Sequence, residues 1–188
     1  MDLFMLMLAI PLVSGALLTV VGERAWAPNL NIIASLGTCL ASALLTAEIV
    51  AAGPRLAFGE LFFIDSLNVF FVALTAFVGL TTSIFSGPYM RNEQEHGKLT
   101  APRLRLYKSM FQLFMFTMLA ALTTNNLGIL WVAMEAATLT TVLLVSLYRT
   151  AASLEAAWKY FILCGVGIAQ ALFGTILLYF AAERVLGE

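Results

Sequence analysis

Six apolar runs follow one another along this chain, most of them about as long as the twenty residues a helix needs to cross a hydrocarbon layer. They are Leu3–Val21, Asn29–Ala52, Ser66–Phe85, Leu106–Leu122, Leu127–Leu147 and Ser153–Ala182. The reading is an all-α polytopic transmembrane bundle of about six spanning helices. Composition agrees, with 61% hydrophobic and 11% charged residues and a mean hydropathy of +0.94. Soluble domains run at about 25% charged and about 45–50% apolar. The net charge of −1 says nothing about partners; the lack of a long basic tract argues against nucleic acid, and membrane lipid is the surround.

The first run resembles a secretory leader only superficially. It starts with Asp2, has no basic segment before it and no small-residue cleavage site after it, so it reads as a retained span. Pro11 is expected to bend it, as neighbouring helices in a bilayer tolerate. Trp26 falls in the turn Gly22–Pro28, at interface level. Glu48 lies near the far end of the second run, within reach of water. Arg55–Ile64 is too short to span and reads as an extended or hairpin-like segment. Asp65 and Ser66 supply an N-cap for the third helix, and Ser86–Gly87–Pro88 is expected to end it. Ser153 is expected to cap the sixth helix, and Glu183, Arg184 and Glu188 close the chain.

The loop Tyr89–Lys108 holds His96, which reads as a solvated surface residue because no cysteine, histidine or carboxylate stands at ligand spacing around it. Cys39 and Cys164 sit inside apolar runs and read as small buried hydrophobes. Metal, iron–sulfur, haem and phosphate-loop signatures are not found, so no catalytic residue and no cofactor is assigned, and redox chemistry is left to partner subunits. Arg24, Arg91, Lys98, Arg103, Arg105, Lys108 and Arg149 fall on one set of alternate loops, Arg55 and Arg184 on the other. The excess of basic residues marks the first side as cytoplasmic and puts both termini outside, in a prokaryotic cytoplasmic (inner) membrane.

The functional signal lies in Asn125–Gly174. Each of its two apolar runs carries an ionisable residue well inside, Glu135 in the fifth helix and Lys159 in the sixth. A charge at membrane depth costs on the order of 2.5–3.5 kcal/mol on insertion scales, so such residues usually pair, face the bundle interior or line a proton path. Steps of three and four place Glu135 on a face with Gly128, Trp131, Thr138, Val142 and Ser146. Lys159 shares a stripe with Glu155, Leu163, Val166 and Gln170. A carboxyl is kept neutral by desolvation and ionised by a nearby ammonium, so coupled sites of this kind pass protons when water joins them. Thr138 and Gln170 are candidates for the polar lining, with the alternative that threonine hydroxyls bond back to their own helix. Lys159 has the alternative of snorkelling to the interface, and Glu135 that of a protonated structural carboxyl. Gly167 and Ala171 give a small-residue spacing suited to close helix contact.

The segments NNLGILWVAMEAATLTTVLLVSLYR, SLEAAWKYFILCGVGIAQALFG and EHGKLTAPRLRLYKSMFQLF resemble the antiporter-like, proton-conducting membrane subunits of respiratory complex I, Mrp-type antiporters and group 4 hydrogenases, the hydrogenase-4 component F type above all. That resemblance implies a fold of about fourteen helices with two inverted five-helix repeats, of which residues 1–105 hold three N-terminal helices and 106–188 the first three helices of the first repeat. It implies that Glu135 is the fifth-helix glutamate that pairs with a lysine on a broken seventh helix, and that Lys159 is the sixth-helix lysine found in many members. The seventh and later helices are not in this sequence, so a complete channel calls for another chain that supplies them, along with other membrane subunits of a redox complex. The expected function is a partial proton-translocating module of a hydrogenase-4-like or complex I-like oxidoreductase. The alternatives are part of a cation/proton antiporter and a non-conducting structural or assembly subunit.

Overall fold

A computed structural model describes residues 2–186; Glu188, expected to close the chain at the interface, lies outside the described residues. Six helices form the bundle: α1 (Leu3–Val21), α2 (Ala27–Ala52), α3 (Ser66–Glu95), α4 (Ala101–Thr123), α5 (Leu127–Val145) and α6 (Ala151–Leu186). All six are long and apolar enough to cross a membrane. A hairpin of β1 (Arg55–Ala57) and β2 (Phe62–Ile64) joins α2 to α3. In packing, α4 is central: it meets α1, α3 and α5, and α6 rests on α5 and the 3-10 turn Ser146–Tyr148.

Prolines stand at the two largest differences from the expected boundaries, the end of α3 and the start of α4. Pro28 and Pro102 stand in the first turns of α2 and α4, where the missing N–H has no helical partner to lose. Both helices therefore start earlier than expected, α4 at Ala101 rather than Leu106. Pro88, expected to end α3, lies inside it, and α3 runs on to Glu95. The proline removes one backbone bond, but the turns beyond it are anchored. Met90 packs on Leu99, Leu104 and Leu147, buried Glu93 accepts from the Lys98 ammonium at 2.9 Å, and the Tyr89 and Tyr148 hydroxyls meet at 3.4 Å. Gly97, at φ +72°, then turns the chain away.

The cap of α6 also differs from expectation. Thr150 takes the place given to Ser153, its Oγ1 accepting from the Ser153 amide at 3.1 Å. Asp65 caps α3 as expected: its Oδ1 accepts from the amides of Leu67 and Asn68, and Asn68 Oδ1 accepts in return from the Asp65 amide. Pro11 sits within an unbroken α1.

One end of the bundle is tied by the hairpin. Arg55 bonds Glu48 at 2.7 Å and Asp2 at 3.0 Å, the Phe4 ring packs tilted against Phe58 and Phe62, and Asn125 donates to the Leu61 and Glu60 carbonyls. Glu48 thus reaches the aqueous end, as its position near the helix terminus implies. The other end is basic: Arg105 pairs with Glu23 at 3.0 Å and the Lys108 ammonium donates to the Gly22 carbonyl at 2.9 Å. A Cβ on Gly22 would lie 3.1 Å from the Arg105 Cα, so glycine lets α1 end against α4.

Burial is inverted relative to a soluble protein. Phe85, Val20 and Leu163 stand 74–77% exposed, whereas Asn31, Ser35, Thr38, Ser42, Ser83 and Gln112 are buried. Large side chains face outward because hydrocarbon is as good a solvent for them as the bundle interior, and polar ones turn inward because hydrocarbon offers them no hydrogen bond. An apolar core of Phe4, Met7, Leu45, Ile49, Ile64, Val69, Val72 and Leu119 closes the hairpin end. We expect Asp65→Ala to lower stability in detergent by about 1 kcal/mol and Asp65→Asn to leave it near wild type, read by thermal unfolding followed by circular dichroism.

Candidate functional site

The residues singled out in the sequence lie on α5 and α6. Asn126 Oδ1 caps α5 by accepting from the amides of Gly128 and Ile129. With 19 residues α5 is about 28 Å long, close to the hydrocarbon thickness. Glu135 falls near its midpoint and is half-buried. The Trp131 indole N–H donates to the Ile168 carbonyl at 2.9 Å and sets the register of the antiparallel pair. That register puts Glu135 level with about Cys164–Gly165, and Lys159 roughly 8 Å further along the axis.

The structure does not bring Glu135 and Lys159 together. Lys159 pairs with Glu155 one turn earlier on its own helix, with the two side chains 70% and 65% exposed. Among the described residues, Glu135 has no ion pair and no side-chain hydrogen bond within 3.5 Å. The stripe Glu155–Lys159–Leu163–Val166–Gln170 lies on the outward face of α6, whereas Ala157 and the half-buried Phe161, Cys164 and Ile168 face α5. Gly167 and Ala171 are exposed as well, and a Cβ built on Gly167 meets nothing within 4 Å, so the expected small-residue contact is not made among the described residues. Thr138 is buried and donates to the Met134 carbonyl, and Thr140 and Thr141 likewise bond back to α5. Their hydroxyl protons are held by the helix, leaving oxygen lone pairs as acceptors. Cys39 and Cys164 are half-buried free thiols rather than fully buried ones. His96 is on the surface, its ring bonded to the Asn92 carbonyl.

A second polar constellation, on helices before α5, was not singled out from the sequence. Gln112 of α4 donates through Nε2 to the Asn31 carbonyl, to Asn31 Oδ1 and to Ser35 Oγ at 2.9–3.1 Å, and Asn31 Nδ2 donates to Ser83 Oγ at 3.1 Å. These four residues join α2, α3 and α4 in the bundle interior. Gln112 Oε1 and Ser42 Oγ are buried there without a protein partner. The signal was present in α2, where Asn31, Ser35, Thr38 and Ser42 recur at steps of four, three and four and mark a single helix face. Asn31 and Ser83 also floor a cavity of about 430 Å³ at the basic end.

Comparison with known proteins shows what the chain is similar to. No family model matches it. It is 55% identical over 130 residues to a hydrogenase-4 component F homolog of Methylacidiphilum infernorum, a match covering 69% of this chain and 27% of that protein. It is 28% identical over 140 residues to an NADH-quinone oxidoreductase subunit N of Dehalococcoides mccartyi, covering 72% and 27%. It is 28% identical over 195 residues to subunit L of Mycobacterium tuberculosis, covering 93% and 29%. The chain thus spans somewhat more than a quarter of the length of the curated relatives it matches. A chain of the membrane-bound sulfane sulfur reductase, an archaeal respiratory membrane complex, has the same fold with a TM-score of 0.80 at 19% identity, over 97% of this chain and 38% of that one.

The two polar sites differ in what they contribute to stability. Asn31→Ala strips the buried Gln112 amide of a partner and should cost on the order of 1–3 kcal/mol. Lys159→Gln breaks an exposed pair worth about 0.5 kcal/mol or less. Thermal unfolding of both variants in one detergent checks that order.

Proposed function

We propose, for a chain that belongs over its matched residues to the family of hydrogenase-4 component F homologs and NADH-quinone oxidoreductase subunits N and L, that it forms part of a membrane subunit of a hydrogenase-like or complex I-like oxidoreductase assembly and takes part in moving protons across the bilayer. The observation that carries this reading is Glu135: an ionisable group near the middle of a helix barely long enough to span, half-buried and without a partner inside the described chain. A carboxyl there is neutral when its surroundings are dry and releases its proton when a cation or water comes alongside. It therefore acts as a proton stop whose occupancy depends on what the rest of the assembly brings to it.

Lys159 is the relay in this reading. Its outward face, shared with Glu155 and Gln170, does not suit lipid, and in the assembly it lies against other protein or a hydrated cavity. Thr138 and Gln170 line the route as hydrogen-bond acceptors and donors. The assembly supplies electron transfer and the remaining membrane helices. The basic end of the bundle faces the cytoplasm and the hairpin end, with Asp2, faces outward. Residues 1–105 form a supporting unit, and 106 onward the opening of an antiporter-like repeat.

A structural role without conduction is the second reading, and one observation favours it: Lys159 pairs with Glu155 on its own helix and not with Glu135. The test uses inverted membrane vesicles from the native host. Glu135→Gln should cut redox-driven proton uptake several-fold while the same subunits still co-purify. Pumping at the wild-type rate in that variant would remove the proton role and leave the structural one. Sodium-driven proton exchange in the vesicles without a redox donor would instead mark a cation/proton antiporter.

A further inference from the structure

We propose that the cavity at the basic end of the bundle holds the phosphate of an anionic phospholipid headgroup. It is an opening of about 430 Å³ between the α1–α2 turn, the overhanging end of α3 and the start of α4. Three cationic side chains line it, Arg24, Arg91 and Lys108. Among the described residues neither Arg24 nor Arg91 has an ion pair or a side-chain hydrogen bond, so both guanidinium forks are free to bind. Lys108 spends one donor on the Gly22 carbonyl at 2.9 Å, which holds the ammonium at the cavity wall with two donors to spare. The carboxylate in the lining, Glu23, is taken up by Arg105 at 3.0 Å.

The net result is a pocket with about three positive charges and no free carboxylate among its lining residues. Its floor is polar, formed by Asn31 and Ser83, and part of its wall is apolar, formed by Met90 and Leu104. That combination matches a phosphate ester continuing into an acyl chain better than a bare anion, which has no use for the apolar wall. Position agrees. Trp26, 46% exposed, lies beside the opening with the Arg24 guanidinium 5.9 Å over its ring, the level at which tryptophan marks the edge of the hydrocarbon. Basic pockets between spanning helices at that level are suited to anionic headgroups.

The test uses the detergent-purified protein with its co-purifying subunits, titrated separately with phosphatidylglycerol, phosphatidylcholine and inorganic phosphate while thermal unfolding is followed. Phosphatidylglycerol should raise the unfolding temperature saturably, phosphatidylcholine should not, and inorganic phosphate should neither reproduce the effect nor compete. The Arg24→Gln/Arg91→Gln double variant should need roughly 30-fold more phosphatidylglycerol for half saturation, the loss expected for two basic groups near an anionic surface. Gln94→Glu, which puts a carboxylate at an exposed point of the same lining without touching the arginines, should weaken the response as well. Equal responses to the two lipids, a phosphatidylglycerol response unchanged in the variants that fold, or full reproduction of it by inorganic phosphate would each overturn the proposal.

Discussion

Hydrocarbon gives a buried amide nothing to bond, and this one property of the solvent arranges the bundle. Gln112 must find its partners inside the protein, and it finds them on α2, with Asn31 passing the connection to Ser83 on α3. Apolar side chains gain little by leaving lipid for the bundle interior, so they do not by themselves choose which helices meet. The polar junction makes that choice for α2, α3 and α4. The remaining helices are added by close approach of backbones, as at Gly22 against Arg105, and by single directed bonds such as Trp131 to the Ile168 carbonyl.

The two ends of the bundle are held by different chemistry. At the hairpin end, a two-stranded ribbon ties the start of α1, the end of α2 and the α4–α5 link through Arg55, a phenylalanine cluster and the Asn125 amide. At the basic end, α3 overshoots its proline and packs on the 3-10 turn, and there the arginines and lysines differ in their partners: Arg103 and Lys108 donate to the Tyr148 and Gly22 carbonyls. Arg105 and Lys98 are paired with carboxylates, whereas Arg24 and Arg91, around the cavity, have no ion pair among the described residues. The Glu93 carboxylate beside Lys98 holds that ammonium above its ordinary pKa range, so this tie keeps its charges at neutral pH. Helix α6 is held along one face alone. Its other face carries an ion pair and a glutamine into what would otherwise be lipid.

Helix number and the hairpin-like link between α2 and α3 were legible in the sequence because long apolar runs and short polar breaks are local features. The Asp65 cap was legible for the same reason. The prolines were harder: the same residue starts a helix at Pro28 and Pro102 and sits within one at Pro88, and the difference lies in what the following turns pack against. Thr150 displaced Ser153 as a cap because the turn before it, with Arg149 at φ +51°, brings the threonine hydroxyl into place. The Gln112 junction was half visible as a polar stripe on α2, but its partners on α3 and α4 are some 50 to 80 residues away in sequence.

By itself the sequence determined that the chain carries six helices long and apolar enough to cross a membrane, that its basic residues collect at one end, and that an acid lies halfway along the fifth helix. These follow from hydrophobicity, charge and spacing counted along the chain. Which way each polar group points was decided by the tertiary structure. Among the described residues Glu135 is half-buried without an ion pair, Lys159 looks outward to Glu155, and two arginines without ion pairs frame a cavity. The reason is that a side chain's direction depends on the rotation of its helix against its neighbours, and in a bilayer that rotation is set by a few long-range polar contacts rather than by any local pattern of apolar residues.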